Sequence, residues 1–291
     1  MYYLLSLLMG IVISVMVAVN GGLTGRYGIY SATVIIHIAG LLLIGAAVLV
    51  KRDKLFAKHP LYLYLGGAIG MFVTVYNNVA FGRISVSAIM ALGLLGQSIC
   101  GLIIDQYGLM GMPKHPFAKG KFVGVVLMVC GIAFMIDSLE VVAVAVSFMA
   151  GVHVIVSRTV NAKLSLLTNE RVATFFNYIV GFGCAIIALL IFGRGEMLFS
   201  GAAYTGLSSN WWIYTGGALG ACLVLLGNIV VVKISAFYLT LLLFIGQILA
   251  GVLIDVILTQ ELSLRIVFGG VLVALGLCIN LIMDSKRGAE T

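Results

Sequence analysis

Residues 66–105 read GGAIGMFVTVYNNVAFGRISVSAIMALGLLGQSICGLIID, and residues 216–255 read GGALGACLVLLGNIVVVKISAFYLTLLLFIGQILAGVLID. The two stretches align without a gap. Gly66-Gly67-Ala68-x-Gly70 matches Gly216-Gly217-Ala218-x-Gly220, and Asn78 matches Asn228. Arg83-Ile84-Ser85 matches Lys233-Ile234-Ser235, Gly96-Gln97 matches Gly246-Gln247, and Ile104-Asp105 matches Ile254-Asp255. The likeness continues outward. Asn20 to Gly40 matches Asn161 to Gly181, sharing Leu23/Leu164, Ala32/Ala173, Thr33/Thr174 and Ile38/Ile179, while Gly124 and Gly131 match Gly269 and Gly276. So many identities in one order mark an internal repeat, with one copy in residues 1–137 and the other in residues 138–291.

The medium in which the repeat folds follows from composition. The chain has 291 residues, 62% hydrophobic and 9% charged. A soluble domain carries roughly 25% charged residues, because it must clothe its surface in polar groups. Lipid is therefore the expected solvent. Runs of the roughly 20 apolar residues needed to cross a bilayer fall near 3–23, 31–50, 61–82, 85–105, 117–136, 140–160, 172–193, 211–232, 235–257 and 264–284. The three prolines, Pro60, Pro113 and Pro116, fall in the breaks. The first run lacks a basic leader and a small-residue cleavage site, so it reads as a span rather than a signal peptide. Continuous runs exclude a β-barrel, whose strands alternate. The expectation is an all-α integral membrane protein with ten transmembrane helices. A count of nine stays open at the short breaks 83–84 and 137–139.

Charge orients the spans. Lys51, Arg52, Lys54, Lys58, Lys114, Lys119, Lys121, Arg158, Lys163, Arg171, Lys233, Lys286 and Arg287 fall on one side; Arg26, Arg83, Arg194 and Arg265 fall on the other. Cytoplasmic loops concentrate Lys and Arg, which puts both termini in the cytoplasm. The net charge of +7 is thus a topology signal. It is not a nucleic-acid footprint, since no basic patch interleaves with aromatics. Five spans per copy is an odd number, so the second copy enters the membrane from the opposite side. Inverted-topology five-helix repeats are typical of alternating-access transporters.

These features resemble the drug/metabolite transporter superfamily and, within it, the YdcZ-like family of bacterial inner-membrane exporters. The carrying residues are Asn20, Gly66-Gly67-Ala68-x-Gly70, Gly96-Gln97 through Asp105, and Gly124 with Gly131. Many members of that family look like single five-helix units; this chain resembles two units fused. The resemblance implies a multi-pass plasma-membrane exporter in which spans 1, 3, 4, 6, 8 and 9 line a cavity and spans 5 and 10 pack peripherally.

Candidate chemistry is sparse. Gln97, Gly101 and Asp105 repeat as Gln247, Gly251 and Asp255 at steps of four, which keep them on one helix face. Two readings compete: amides that bind a polar substrate, or amides that bond between helices. The same pair of readings applies to Thr74, Asn77, Asn78, Asn177 and Asn228. Asn20 and Asn161 read as caps or turn residues. His37 and His153 lie inside apolar runs, where each is a possible proton carrier or a satisfied core residue. Asp105 with Lys233 on one face, and Asp255 with Arg83 on the other, are candidate gates; simple anchoring at the interface is the plainer alternative. No charged residue falls at mid-span. One there would cost about 2.5–3.5 kcal/mol and mark an ion pathway, so the expected substrate is a small polar, neutral or zwitterionic molecule.

The cysteines, Cys100, Cys130, Cys184, Cys222 and Cys278, read as apolar packing residues with no metal or disulfide spacing. No cofactor is expected, no phosphate-binding loop is present, and no nucleophile–base or carboxylate constellation suggests an enzyme. A secondary transporter is favoured, probed against a lipid scramblase or a non-transporting membrane subunit. Its partners would be a small molecule and the bilayer, as a monomer or homodimer.

Overall fold

In the computed structural model the described residues are 1–55, 59–111, 120–136, 140–196, 208–230, 233–234 and 236–288. Among them the chain forms ten α-helices: α1 (Tyr2–Tyr27), α2 (Ile29–Lys51), α3 (Gly66–Ala80), α4 (Val86–Tyr107), α5 (Lys121–Met135), α6 (Val141–Leu167), α7 (Glu170–Phe192), α8 (Gly216–Val230), α9 (Ala236–Thr259) and α10 (Leu264–Gly288). Short 3₁₀ turns at Leu61–Tyr64 and Trp211–Thr215 lead into α3 and α8. No strand forms among the described residues. That is the result lipid imposes, since helices satisfy their backbone groups internally.

Among the described residues eight helical segments are long and apolar enough to cross a membrane by length and composition: α1, α2, α4, α6, α7, α8 with its leading turn, α9 and α10. α3 and α5 are shorter than expected. The glycine pair Gly66-Gly67 starts α3 late, after the 3₁₀ turn, leaving 15 helical residues. α5 also has 15, and residues 112–119 before it lie outside the described set. α1 and α6 are longer than expected. Asn20 and Asn161, read as caps, are instead buried inside these helices. Arg158 and Lys163, read as loop residues, ride on α6.

The residues gather into two compact units that both draw on both halves of the sequence. The first contains Met1–Val15, Ala80–Ile155 and Val230–Thr291; the second contains Met16–Val79 and Val156–Ile229. The boundaries fall inside α1 and α6 and at the last residue of α3 and of α8.

In the first unit α5 packs along α10. A Cβ on Gly131 would lie 2.6 Å from the Gly269 carbonyl oxygen, and one on Gly124 would lie 2.5 Å from that of Gly276. The two helices therefore run antiparallel, in backbone contact, around Met128, Met135, Val273 and Leu277. α4 packs on α9, with the start of one meeting the end of the other. In the second unit α2 packs along α7, again antiparallel. Gly40 lies under the Tyr178 ring, and Gly181 lies under the His37 ring. Helices in lipid gain little from apolar burial and depend on close approach, which small residues permit.

Replacing Gly131 by Val forces side chain into the Gly269 backbone. Overpacking costs about 1–3 kcal/mol, so Gly131→Val is expected to lower the thermal midpoint in detergent by several degrees. Gly25 on α1 has open space where its Cβ would sit, so Gly25→Ala is expected to leave the midpoint unchanged or higher.

Candidate functional site

The ends of the α2–α7 pair are held by carboxylates. Gly28 precedes α2 with φ of 90°, a conformation that favours glycine. The Glu196 carboxylate packs against it and accepts hydrogen bonds from the Tyr30 and Ser31 amides at 3.1 and 2.7 Å. At the other end Asn169 caps α7 by accepting from Val172 N at 2.9 Å. Asp53, just past α2, takes bonds from Asn169 and, at 2.6 and 2.9 Å, from the Arg171 guanidinium. Each helix thus ends beside a carboxylate that reaches the start of the other, where the helix dipole is positive.

Between these clamps, His37 and Tyr178 tilt against each other with ring centroids 5.8 Å apart. They occupy matching positions of the repeat, since Asn20 and Asn161 set an offset that carries 37 onto 178. His37 is 4% exposed, with Nδ1 on the Thr33 carbonyl, and Tyr178 donates to the Gly217 carbonyl at 3.2 Å. His153 likewise puts Nδ1 on the Met149 carbonyl of its own helix.

Two glycine-floored niches sit in this same unit. In one, Asn161 lies over Gly66, the Asn177 carbonyl lies over Gly67, and Ser157 and Asn177 face Gly70. Asn161 donates to Asn177 at 2.8 Å and to Ser157, and Ser157 donates to the Gly66 carbonyl. In the matching niche, Asn20 lies over Gly216, the Ile36 carbonyl over Gly217, and Met16 with the Tyr178 hydroxyl over Gly220. The frame is the same, but Met16 and Ile36 replace Ser157 and Asn177. Asn78 is buried and donates to Thr33 at 3.2 Å, while Thr74 and Asn77 are half-buried on α3. Asn228 on α8 leaves a buried Nδ2 without a partner among the described residues.

In the first unit Gln97 and Gln247 each follow a glycine in backbone contact with a neighbouring helix: Gly96 with Phe148 on α6, and Gly246 with Leu7 on α1. Gln247 is 7% exposed, and its backbone carbonyl accepts from the Ser14 hydroxyl at 2.8 Å. Gln97 is half-buried. Of the four gate candidates, the side chain of Asp105 lies outside the described residues, and Lys233 and Arg83 are exposed. Asp255 is buried and accepts from Val86 N at 2.6 Å, Ser87 N at 3.0 Å and Ser87 Oγ at 2.5 Å. It lines a cleft of about 570 Å³ together with Arg83, Ser85, Thr259, Glu261 and Ser263.

Sequence reading passed over Ser87, Glu196, Ser157 and Tyr178. Ser85-x-Ser87 ahead of an apolar run was a legible helix-start signal. Glu196 carried none, because its target is distant in the chain. No group of three or more metal-ligating side chains occurs among the described residues.

The family described as "Putative inner membrane exporter, YdcZ" matches residues 1–134 and 142–279. No curated protein matches the chain. A solved crystal structure shares the fold, with a TM-score of 0.62 at 14% identity, over 97% of this chain and 96% of that one.

The Arg171 guanidinium beside Asp53 holds its carboxyl below the usual carboxylate range. A depressed folded value means the bridge contributes fully above the unfolded value of about 3.9 and is lost as pH falls through the folded one. Asp53→Asn should lower stability at neutral pH by about 1 kcal/mol or less, the scale of a partly solvated ion pair. The gap from wild type should close below about pH 4. Thermal midpoints in detergent across that range check it.

Proposed function

The chain belongs to the YdcZ exporter family, and we propose that this multi-pass membrane protein is a secondary transporter exporting a small polar, neutral or zwitterionic organic molecule by alternating access. The observation that carries the reading is reciprocity. Matching helices of the two sequence halves pair antiparallel as α2 with α7, α4 with α9, and α5 with α10. The glycine contacts exchange across the repeat in the same way: Gly131 meets Gly269 where Gly124 meets Gly276. A two-fold relation requires such exchange. It supports ten spans as two inverted five-helix repeats, 1–137 and 138–291, with α3 and α5 as the short members. The two segments matched by the family fall on those halves.

Inverted halves transport by trading conformations around a site near their common centre. In this reading Gln97, Gln247, Thr74, Asn77, Asn78, Asn177 and Asn228 contact the substrate. The unpartnered Nδ2 of Asn228 supports it, since a buried donor without a partner is costly unless a ligand supplies one. Asp255 with Arg83 and Asp105 with Lys233 gate the two faces. The weight of Lys and Arg puts both termini in the cytoplasm of a bacterial inner membrane. One chain carries both halves, so a monomer holds a complete pathway, whether or not two copies associate.

Thermal-shift screening of the purified protein against a metabolite panel should reveal a stabilising compound, and proteoliposomes should accumulate it by counterflow. Gln97→Ala and Gln247→Ala should each reduce that flux at least several-fold while leaving the unliganded melting midpoint within a few degrees of wild type. A protein that moves no panel compound but equilibrates labelled lipid between leaflets would be a scramblase instead.

A further inference from the structure

Asp255 lies inside α9, one turn before the helix ends at Thr259, and is 6% exposed. A carboxylate there faces the negative end of its own helix dipole. What offsets this is the start of α4. The first amides of any helix have no partner within it. In α4, Val86 N and Ser87 N donate to Asp255, and Ala88 N donates to the Ser85 hydroxyl. The Ser87 hydroxyl adds a third bond to the same Asp255 oxygen that takes the Ser87 amide. The first turn of α4 and the last turn of α9 are therefore joined through one carboxylate.

Asp255 lines a cleft, in the proposal below the route by which water reaches the carboxylate. Besides Asp255, its polar lining comes from Arg83 and Ser85 before α4, Thr259 at the end of α9, and Glu261 and Ser263 after it. The ionisable groups near Asp255 are few. Arg83 and Glu261 line the cleft, and Arg265 stands in the first turn of α10. α4 carries no ionisable side chain from Val86 to Gly96, and α5 brings none at Ile132–Met135. The hydrogen bonds of Asp255 go to α4 rather than to a cation.

We propose that Asp255 is a proton-binding site that latches this end of the α4–α9 pair. The inference rests on the alternating-access reading, in which such a latch closes one gate. Deprotonated, the carboxylate pins α4 to α9. A proton passes from hydronium in the cleft to Oδ2: one O–H bond of the hydronium breaks, the carboxyl O–H forms, and water is left behind. Oδ2 then becomes a hydroxyl, its two incoming bonds lose a charged acceptor, and charge-assisted bonds are roughly twice as strong as neutral ones. The Ser87 amide turns to water, the Val86 amide keeps only a neutral carbonyl acceptor in Oδ1, and the cleft widens. His37 and His153 are the competing proton carriers, but each holds Nδ1 on a carbonyl of its own helix and neither lines this cleft.

The test uses the full chain in nanodiscs with its five cysteines replaced and one cysteine introduced at Val256, which lines the cleft and is half-buried. Labelling by a membrane-impermeant maleimide is divided by that of Gln260→Cys, an exposed position, to remove the pH dependence of thiol reactivity. The normalised rate should rise several-fold as pH falls from about 7.5 to about 3.5, a range that takes in both imidazole and carboxylate titration. Asp255→Asn should hold it high at both pH values, Ser87→Ala should raise it at the upper pH, and His37→Gln should keep the wild-type response. A rate that does not change with pH in the wild type overturns the latch, even if an Asp255 variant fails to fold. So does a response lost in His37→Gln and kept in Asp255→Asn, which moves the proton to His37. Labelling needs no substrate, so a flat rate beside intact flux sinks the latch alone. A pH-dependent rate without flux sinks the transport reading instead.

Discussion

Contact between helix backbones at glycine is the interaction on which the rest of this structure depends. In lipid an apolar side chain gains little by leaving its solvent for a neighbouring helix, so association rests on dispersion and on polar contacts that only close approach allows. The chain meets this demand repeatedly. Gly10 lies on the Leu243 carbonyl, Gly246 on Leu7, Gly96 on Phe148 and Gly151 on Gly93. Two of these crossings join α1 to α9 and two join α6 to α4, and the repeat carries one set onto the other. Each sits at or beside Gln97 or Gln247, so the same glycines that bring the helices together also fix where those amides lie.

A second layer of organisation acts at helix ends. Glu196 serves the start of α2, Asp53 holds the capping residue of α7, and Asp255 serves the start of α4. Acidic side chains are scarce in this sequence, and these three stand where first-turn amides need acceptors and the dipole favours negative charge. Their partners lie far away in the chain, so each clamp also fixes which helix ends meet.

Much of this was legible in the sequence, and the limits have physical causes. That the chain is helical and crosses a membrane many times could be read because hydrophobicity over twenty residues is a summed property, insensitive to any one residue. The glycines aligned between the halves proved to be the contact points. Helix ends were less legible. Asn20 and Asn161 resemble caps by residue type, yet they sit inside α1 and α6, where the facing glycines Gly216 and Gly66 make room for their amides. α3 is short because Gly66-Gly67 lets a 3₁₀ turn stand where a helix was expected. Glu196 and Tyr178 could not be found, because nothing local marks a residue whose partner is set by tertiary contact.

The two glycine-floored niches of the second unit share a frame and differ in lining: Ser157, Asn161 and Asn177 in one, Met16, Asn20 and Ile36 in the other. A pair of identical short chains could not hold that difference, since any mutation in one would appear in both. Joining the halves in one polypeptide frees each to drift separately. The two contacts, one more polar than the other, need not be equally strong. If the chain transports as proposed, asymmetry written into its covalent structure lets the two faces differ in affinity and rate, while the gradients across the membrane still set the direction of net flux.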